Sequence, residues 1–228
     1  PSRLSELLDG VSAVVYTHNH GDHVGFFYKV PKEIPQYIGE MAREVMFNIL
    51  DENYNRLSRD ERRLAGSDYF DKISALRAFR TYKAAQTFNV EDVSVTPFFV
   101  SHSAGDAYML LIECDGKKVL HTGDLREHGF LGKGLEPTLQ KWMTEVDVLI
   151  TEGTMLSRDD EQTKTESEIQ SLMHEYMQQY KNVLVLCSST NFDRLAGLHK
   201  ANQRFGNRPF VCDVYQSIQL ETLSRFCG

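Results

Sequence analysis

His18, His20 and His23, with Asp22 between them, place three of the chain's eight histidines within six residues. Imidazole nitrogen and carboxylate oxygen together suit Zn²⁺, and Mn²⁺ or Fe could also accept such ligands. Side chains at i and i+2 on an extended strand end point the same way, so His18 and His20 can share one ion. Asp22 and His23, in the turn beyond, can reach a second. A surface turn that merely happens to be rich in histidine has no need of this density.

The elements around the cluster must bring it further ligands. The β-branched run from Val11 to Tyr16 reads as a buried strand that empties into the histidines. From about 40 to 87 the pattern turns helical, with Met41, Val45, Met46, Ile49 and Leu50 and then Ile73, Leu76, Ala78 and Phe79 at helical spacing, so a helical insertion is expected. Strand signals return at 93–100 and 108–113, then at 117–121 after the Asp115-Gly116 dipeptide, which predicts a tight hairpin. Residues 146–151 form another strand signal, and beyond them helices and strands alternate. Thr165 and Glu168 have capping-box spacing, and Ile169, Leu172, Met173, Tyr176, Met177 and Tyr180 make one apolar stripe expected to pack on a sheet. Strands are expected at 183–187 and 210–214, with helices over 192–205 and 218–226; such alternation predicts parallel βαβ units.

An H-x-H-x-D-H sequence after an apolar strand resembles the signature of the metallo-β-lactamase superfamily. Two later segments agree with it in order: His102 ends the strand at 93–100, and Asp124 follows the strand at 117–121. The resemblance implies that His102 completes the first metal site and that Asp124 bridges both metals. The segment ending in Glu152 and the Ser188-Ser189-Thr190-Asn191 turn resemble the β-CASP region of RNA-processing members such as ribonuclease J. There Glu152 would be the region's acid, and Ser188, Ser189 and Asn191 would lie near bound phosphate at a helix N-terminus, a favourable place for an anion. The same three residues could equally well just cap that helix.

The fold implied is α/β, a metallo-β-lactamase-type αββα sandwich over 1–151, N-terminally incomplete, followed by the start of a parallel βαβαβ β-CASP-like region over 152–228. Members of the family begin with a β-meander that Pro1 starts too late to include, and they complete the second site with a downstream histidine. His174 and His199 fall within helical patterns and read as ordinary helix-face residues. The chain is therefore expected to be an internal piece of a longer enzyme. His121 is expected to point away from the site and His128 to lie in a loop. Arg126 could meet a phosphate oxygen, although a surface ion pair is the default for such a residue.

The implied activity is zinc-dependent hydrolysis of RNA phosphodiesters by a hydroxide held between two metals, with Asp22, Asp124 and Glu152 as catalytic residues and single-stranded RNA as the partner. Manganese is the alternative ion. Competing readings are a hydrolase of a small ester, lactone or thioester, and a noncatalytic, metal-stabilised scaffold subunit. A formal net charge of -7 argues against broad nonspecific attraction to nucleic acid, but not against a nuclease whose metals hold the phosphate. No run of about 18 apolar residues suggests a membrane span, and no secretory signal is evident, so the cytoplasm is the expected compartment. Cys114, Cys187, Cys212 and Cys227 are widely spaced and read as free thiols. A homo-oligomer is left open.

Overall fold

A computed structural model describes residues 2–156 and 164–227. After a short helix α1 (Ser2–Leu7), strand β1 (Val14–Val15) leads into α2 (Gly21–Val24), and β2 (Gln36–Gly39) into two long helices, α3 (Glu40–Asn55) and α4 (Arg59–Arg77). Five strands follow: β3 (Arg80–Tyr82), β4 (Phe88–Val90), β5 (Val93–Phe99), β6 (Tyr108–Cys114) and β7 (Lys117–His121). Next come α5 (Leu135–Trp142), β8 (Val148–Ile150), α6 (Glu166–Gln179), α7 (Phe192–Phe205) and α8 (Val214–Cys227). Among the described residues the strands make two sheets. One is parallel, in the order β1-β2-β3; the other runs β4-β5-β6-β7-β8, antiparallel except for the parallel β7–β8 pair.

The two-residue period of a strand decides which layer each side chain joins. On β6, Tyr108, Leu110 and Ile112 point inward and meet Tyr37 and Tyr82 of the facing sheet, while Met109 and Leu111 point outward beneath Leu135 and Leu139 of α5. The parallel sheet repeats the division: Tyr37 faces the inter-sheet core, and Ile38 faces Ala42, Met46 and Leu76 of α3 and α4. Helices thus cover the outer face of each sheet, which makes the αββα sandwich. A side chain such as Ile38 or Met109, with 0% of its surface exposed, contributes roughly 1.5–3 kcal/mol relative to leaving it in water.

The hairpin at Asp115-Gly116 forms as its sequence predicts, with both residues in the left-handed region (φ 51° and 72°), as a two-residue turn of this type needs. The Thr165–Glu168 capping box closes the start of α6, and Ser58 with Glu61 closes α4 the same way. Cys114, Cys187 and Cys212 are free thiols; the Cys227 side chain lies outside the described set. No helix among the described residues is long and apolar enough to cross a membrane.

Several expectations are corrected. The helical stretch at 40–87 ends at Arg77, and it is no simple insertion: β2 and β3 pair in parallel with α3 and α4 as their crossover. Those strands are only four and three residues long and contain Gln36, Gly39, Arg80 and Thr81, so their alternation is too short to register. The runs at 183–187 and 210–214 do not form a parallel βαβαβ sheet. They join neither sheet, and α8 begins at Val214. Leu184, Leu186 and Val211 are 99%, 100% and 96% exposed, because an apolar run becomes a strand only beside an edge that takes up its backbone hydrogen bonds. Helix α6 packs along α7 rather than on a sheet. It buries Glu166, Gln170 and Met177 and leaves Tyr176 and Tyr180 largely exposed.

Candidate metal centre

Three loops at the ends of β1, β5 and β7 meet over the edge of the sandwich. Beyond β1, the Tyr16 N–H donates to Tyr37 O (2.8 Å), and Thr17 O accepts the Tyr108 N–H (3.0 Å), so the chain that carries His18 is tied to both sheets at once. Helix α2 follows directly, anchored by buried Val24, and presents Asp22 and His23. Beyond β5, the Val100 N–H donates to Ala107 O (3.0 Å) and closes the loop that carries His102. Beyond β7, the chain turns at Gly123 (φ 58°), where a Cβ would lie 2.9 Å from both Thr17 Cβ and Tyr108 O. Only glycine fits that turn without strain. Asp124 follows it.

The ligand-type atoms converge in two groups that share His18. One atom each from His18, His20 and His102 lie within 4.8 Å of one another, and so do those of His18, His23 and Asp124. His102 Nε2 is 3.0 Å from His20 Nδ1. Asp124 stands between the groups: Oδ2 is 3.9 Å from His18 Nε2 and 3.8 Å from His102 Nε2, while Oδ1 is 3.3 Å from His23 Nε2. His18 is completely buried, and Thr17 Oγ1 lies 3.0 Å from its Nδ1. Its Nε2 has no hydrogen-bond partner among the described residues. A buried polar atom is rarely left so, and a metal ion at the convergence point would satisfy it.

Electrostatics fits the same ion. Burial, reinforced by His23, His102 and His20, pushes the His18 ring down to about 2. Burial and then His20 push His102 down to about 4. His20 is likewise lowered, chiefly by burial. Near neutral pH these rings are therefore uncharged and carry free lone pairs, the state a metal requires.

The other expected residues are placed less centrally. Asp22 belongs to neither group; its side chain is 79% exposed, with Oδ2 3.7 Å from His23 Nε2. Glu152 Oε1 accepts the Leu125 N–H at 2.8 Å, which holds the Asp124 loop. Burial opposes ionisation of Glu152, but that N–H and Thr154 outweigh it and hold the carboxyl below its usual range. Asn191 caps α7 by accepting the Arg194 N–H (3.3 Å), and Ser188 Oγ lies 3.1 Å from Thr190 Oγ1. His121 turns toward its own loop, where Nδ1 accepts the Gly123 N–H at 3.1 Å. His128 lies in the following loop, and His174 and His199 lie on α6 and α7. Arg126 does form ion pairs, to Asp193 (3.0 Å) and Glu166 (3.6 Å), but they are largely buried rather than on the surface.

Sequence reasoning missed Asp106, Glu166 and Asp193. Asp106 is buried where α3 begins, accepting the Ala42 N–H (2.9 Å) and the Tyr108 O–H (2.5 Å). Burial raises its carboxyl, and those donors offset part of the rise. A Cβ at Gly39 would come within 2.2 Å of that carboxylate. No local motif marks such a residue, because the N–H that ties it to α3, that of Ala42, lies 64 positions away in the chain.

The αββα layering and the loop-borne histidines define a metallo-β-lactamase-type protein. Residues 1–199 match the family described as the beta-lactamase superfamily domain, so the chain belongs to that superfamily. An RNase J-like protein of Methanocaldococcus jannaschii is 30% identical over 151 residues, which are 63% of this chain and 32% of that protein. The crystal structure of a protein of unknown function from Enterococcus faecalis V583 superposes with a TM-score of 0.70 at 18% identity, covering 93% of this chain and 49% of that one. The chain thus spans about a third of the first relative and half of the second.

Proposed function

We propose that this protein is a zinc-dependent ribonuclease of the ribonuclease J-like, β-CASP branch, with residues 152–228 as the start of the β-CASP-like region. The observation that carries the metal reading is the orphaned His18 Nε2 at the meeting point of His20, His23, His102 and Asp124. The RNA reading is supported by similarity to the RNase J-like protein.

His18, His20 and His102 would hold one ion and His23 with Asp22 a second, and the Asp124 carboxylate has one oxygen toward each group. Zinc suits this mainly imidazole set, with manganese the alternative. Ions bound there would generate a nucleophile from water at neutral pH and accept charge from the attacked phosphate. Asp22, exposed at the rim, orients the attacking water. Glu152 fixes the Asp124 loop through Leu125, and Ser188 and Ser189 at the start of α7 offer hydroxyls to the RNA backbone, with Asn191 capping the helix behind them. The free thiols suit a reducing compartment such as the cytoplasm.

The test is to titrate the protein with zinc and to assay a short single-stranded RNA beside a panel of esters, lactones and thioesters. RNA cleavage that is lost in His20→Ala, together with a fall in zinc affinity exceeding about 100-fold, is the expected result; a mere outer-shell change costs 10–100-fold. Turnover of esters alone points to a small-molecule hydrolase, and zinc binding without any turnover points to a scaffold.

A further inference from the structure

We propose that Asp193 is a positioning residue for the metal centre: carried in on α7, its carboxylate clasps the His102 loop to the Asp124 loop and so sets the spacing of their ligands. Asp193 Oδ2 accepts from the Ser101 hydroxyl at 3.0 Å and from Arg126 at 3.0 Å. Ser101 immediately precedes His102, and Arg126 lies two residues after Asp124. The two loops also meet directly, the Arg126 N–H donating to Ser101 O at 2.8 Å. Gly129 closes over the contact, since a Cβ there would sit 1.7 Å from Ser101 Oγ and 2.5 Å from Asp193 Oδ2.

The charges make the clasp specific. Arg126 and Asp193 are 14% and 17% exposed, and Glu166 only 2%. Arg126 and Arg194 are matched by Glu166 and Asp193, so this group of four is neutral. Glu166 cannot substitute for Asp193, because Arg194 already engages both its oxygens (2.8 and 3.1 Å) and Arg126 stands 3.6 Å away. Loss of Asp193 leaves the Arg126 charge largely buried without its nearest partner, a costly state from which the loop escapes by moving. Asp124 moves with it. The Phe192 ring beside Asp193 supports the same docking, packing where a Cβ on Gly105, in the His102 loop, would fall 2.2 Å from it.

The proposal rests on the metal-centre reading, and the experiment separates the two. Cobalt(II), whose visible absorption reports ligand geometry, is titrated into the wild type, Asp193→Ala, Asp193→Asn and Ile38→Ala, all under conditions where each is folded. The expected result is a cobalt affinity about 10- to 100-fold weaker in Asp193→Ala, as for other groups that orient metal ligands, with a displaced absorption band. Asp193→Asn, which keeps an acceptor for Ser101 but loses the charge, falls between. Ile38→Ala, which destabilises the sandwich away from the clasp, leaves affinity and band unchanged. Wild-type affinity and spectrum in Asp193→Ala would overturn the proposal and leave Asp193 a purely structural ion pair; if that variant does not fold, Asp193→Asn decides by the same criterion. Should the wild type bind no cobalt, the metal reading fails. The His102 ring resonances of the metal-free protein then decide: a shift in Asp193→Asn supports the clasp, and unmoved resonances overturn it.

Discussion

Met109 and Leu186 are both apolar residues inside strand-like runs, yet one is 0% exposed and the other 100%. The contrast holds for the regions around them. In the sandwich, every long strand has a neighbour, and the apolar faces of the inner strands meet either the opposite sheet or a helix, while the edge strand β8 stays exposed. After β8, the extended runs at 183–187 and 210–213 join no sheet, and the helices are held by other means. Helix α6 rests on α7, and the pair is fastened to the sandwich through Glu166, Arg194, Arg126 and Asp193 beside a small apolar contact of Phe192 with Met41 and Val45 of α3. A core made of sheet layers tolerates no gap, whereas a polar clasp needs only a few well-placed groups. The ligand loops grow from the first kind of structure and are braced by the second.

If burial is what separates the two regions, equivalent truncations must differ sharply. Ile38→Ala, at 0% exposure between β2 and the helices above it, should cost about 2–5 kcal/mol in denaturant unfolding. Leu186→Ala should change stability by no more than about 0.5 kcal/mol. A large loss at Leu186 would break the comparison by showing that the run is buried in solution.

Gly123→Ala tests how tightly the sandwich constrains its loops. With φ at 58° and Thr17 and Tyr108 O each 2.9 Å from the new Cβ, the strain should cost about 1–3 kcal/mol and lower metal affinity with it. Thermal unfolding and a zinc titration check both effects. Unchanged zinc affinity would show that the Asp124 loop adjusts independently of the sheet.

Metal-free protein should weaken in acid through the ligand site. The folded rings of His18 and His102 sit far below the ordinary 6.5, so between those values the unfolded chain binds more protons than the folded protein. Their stabilising contribution is complete above pH 6.5 and is lost as pH falls, for His102 down to about 4. Each can remove up to about 1.4 kcal/mol per pH unit over its interval. Urea unfolding at pH 7 and pH 5 measures the difference, and equal stabilities would contradict the depressed values. A modest effect is expected in the second region, where Thr165→Ala removes the α6 cap at about 1 kcal/mol.

Part of the candidate site was legible because its first histidines come in a short-range pattern. His18, His20 and His23 announce themselves by density, whereas a histidine or aspartate ending a strand is common, and His102 and Asp124 were expected only from the resemblance to the superfamily. The Asp115-Gly116 hairpin and the Thr165 cap were equally plain, since backbone chemistry local to a few residues dictates both. The short strands β2 and β3 were not, nor was the exposed place of Asp22 at the rim, outside the two close groups that share His18.

The sequence by itself determined the inventory of candidate ligands, the elements that end at them and their order along the chain, because residue type, periodicity and turn chemistry act over a few positions. Only the tertiary structure decided that Asp124 lies between two groups of imidazoles, that Glu152 spends an oxygen on Leu125, and that Asp193 reaches across from α7 to Ser101 and Arg126. Those are contacts between segments far apart in the chain. They exist only once burial has brought the segments together, and a low-dielectric interior then demands that each charge and each donor find its partner.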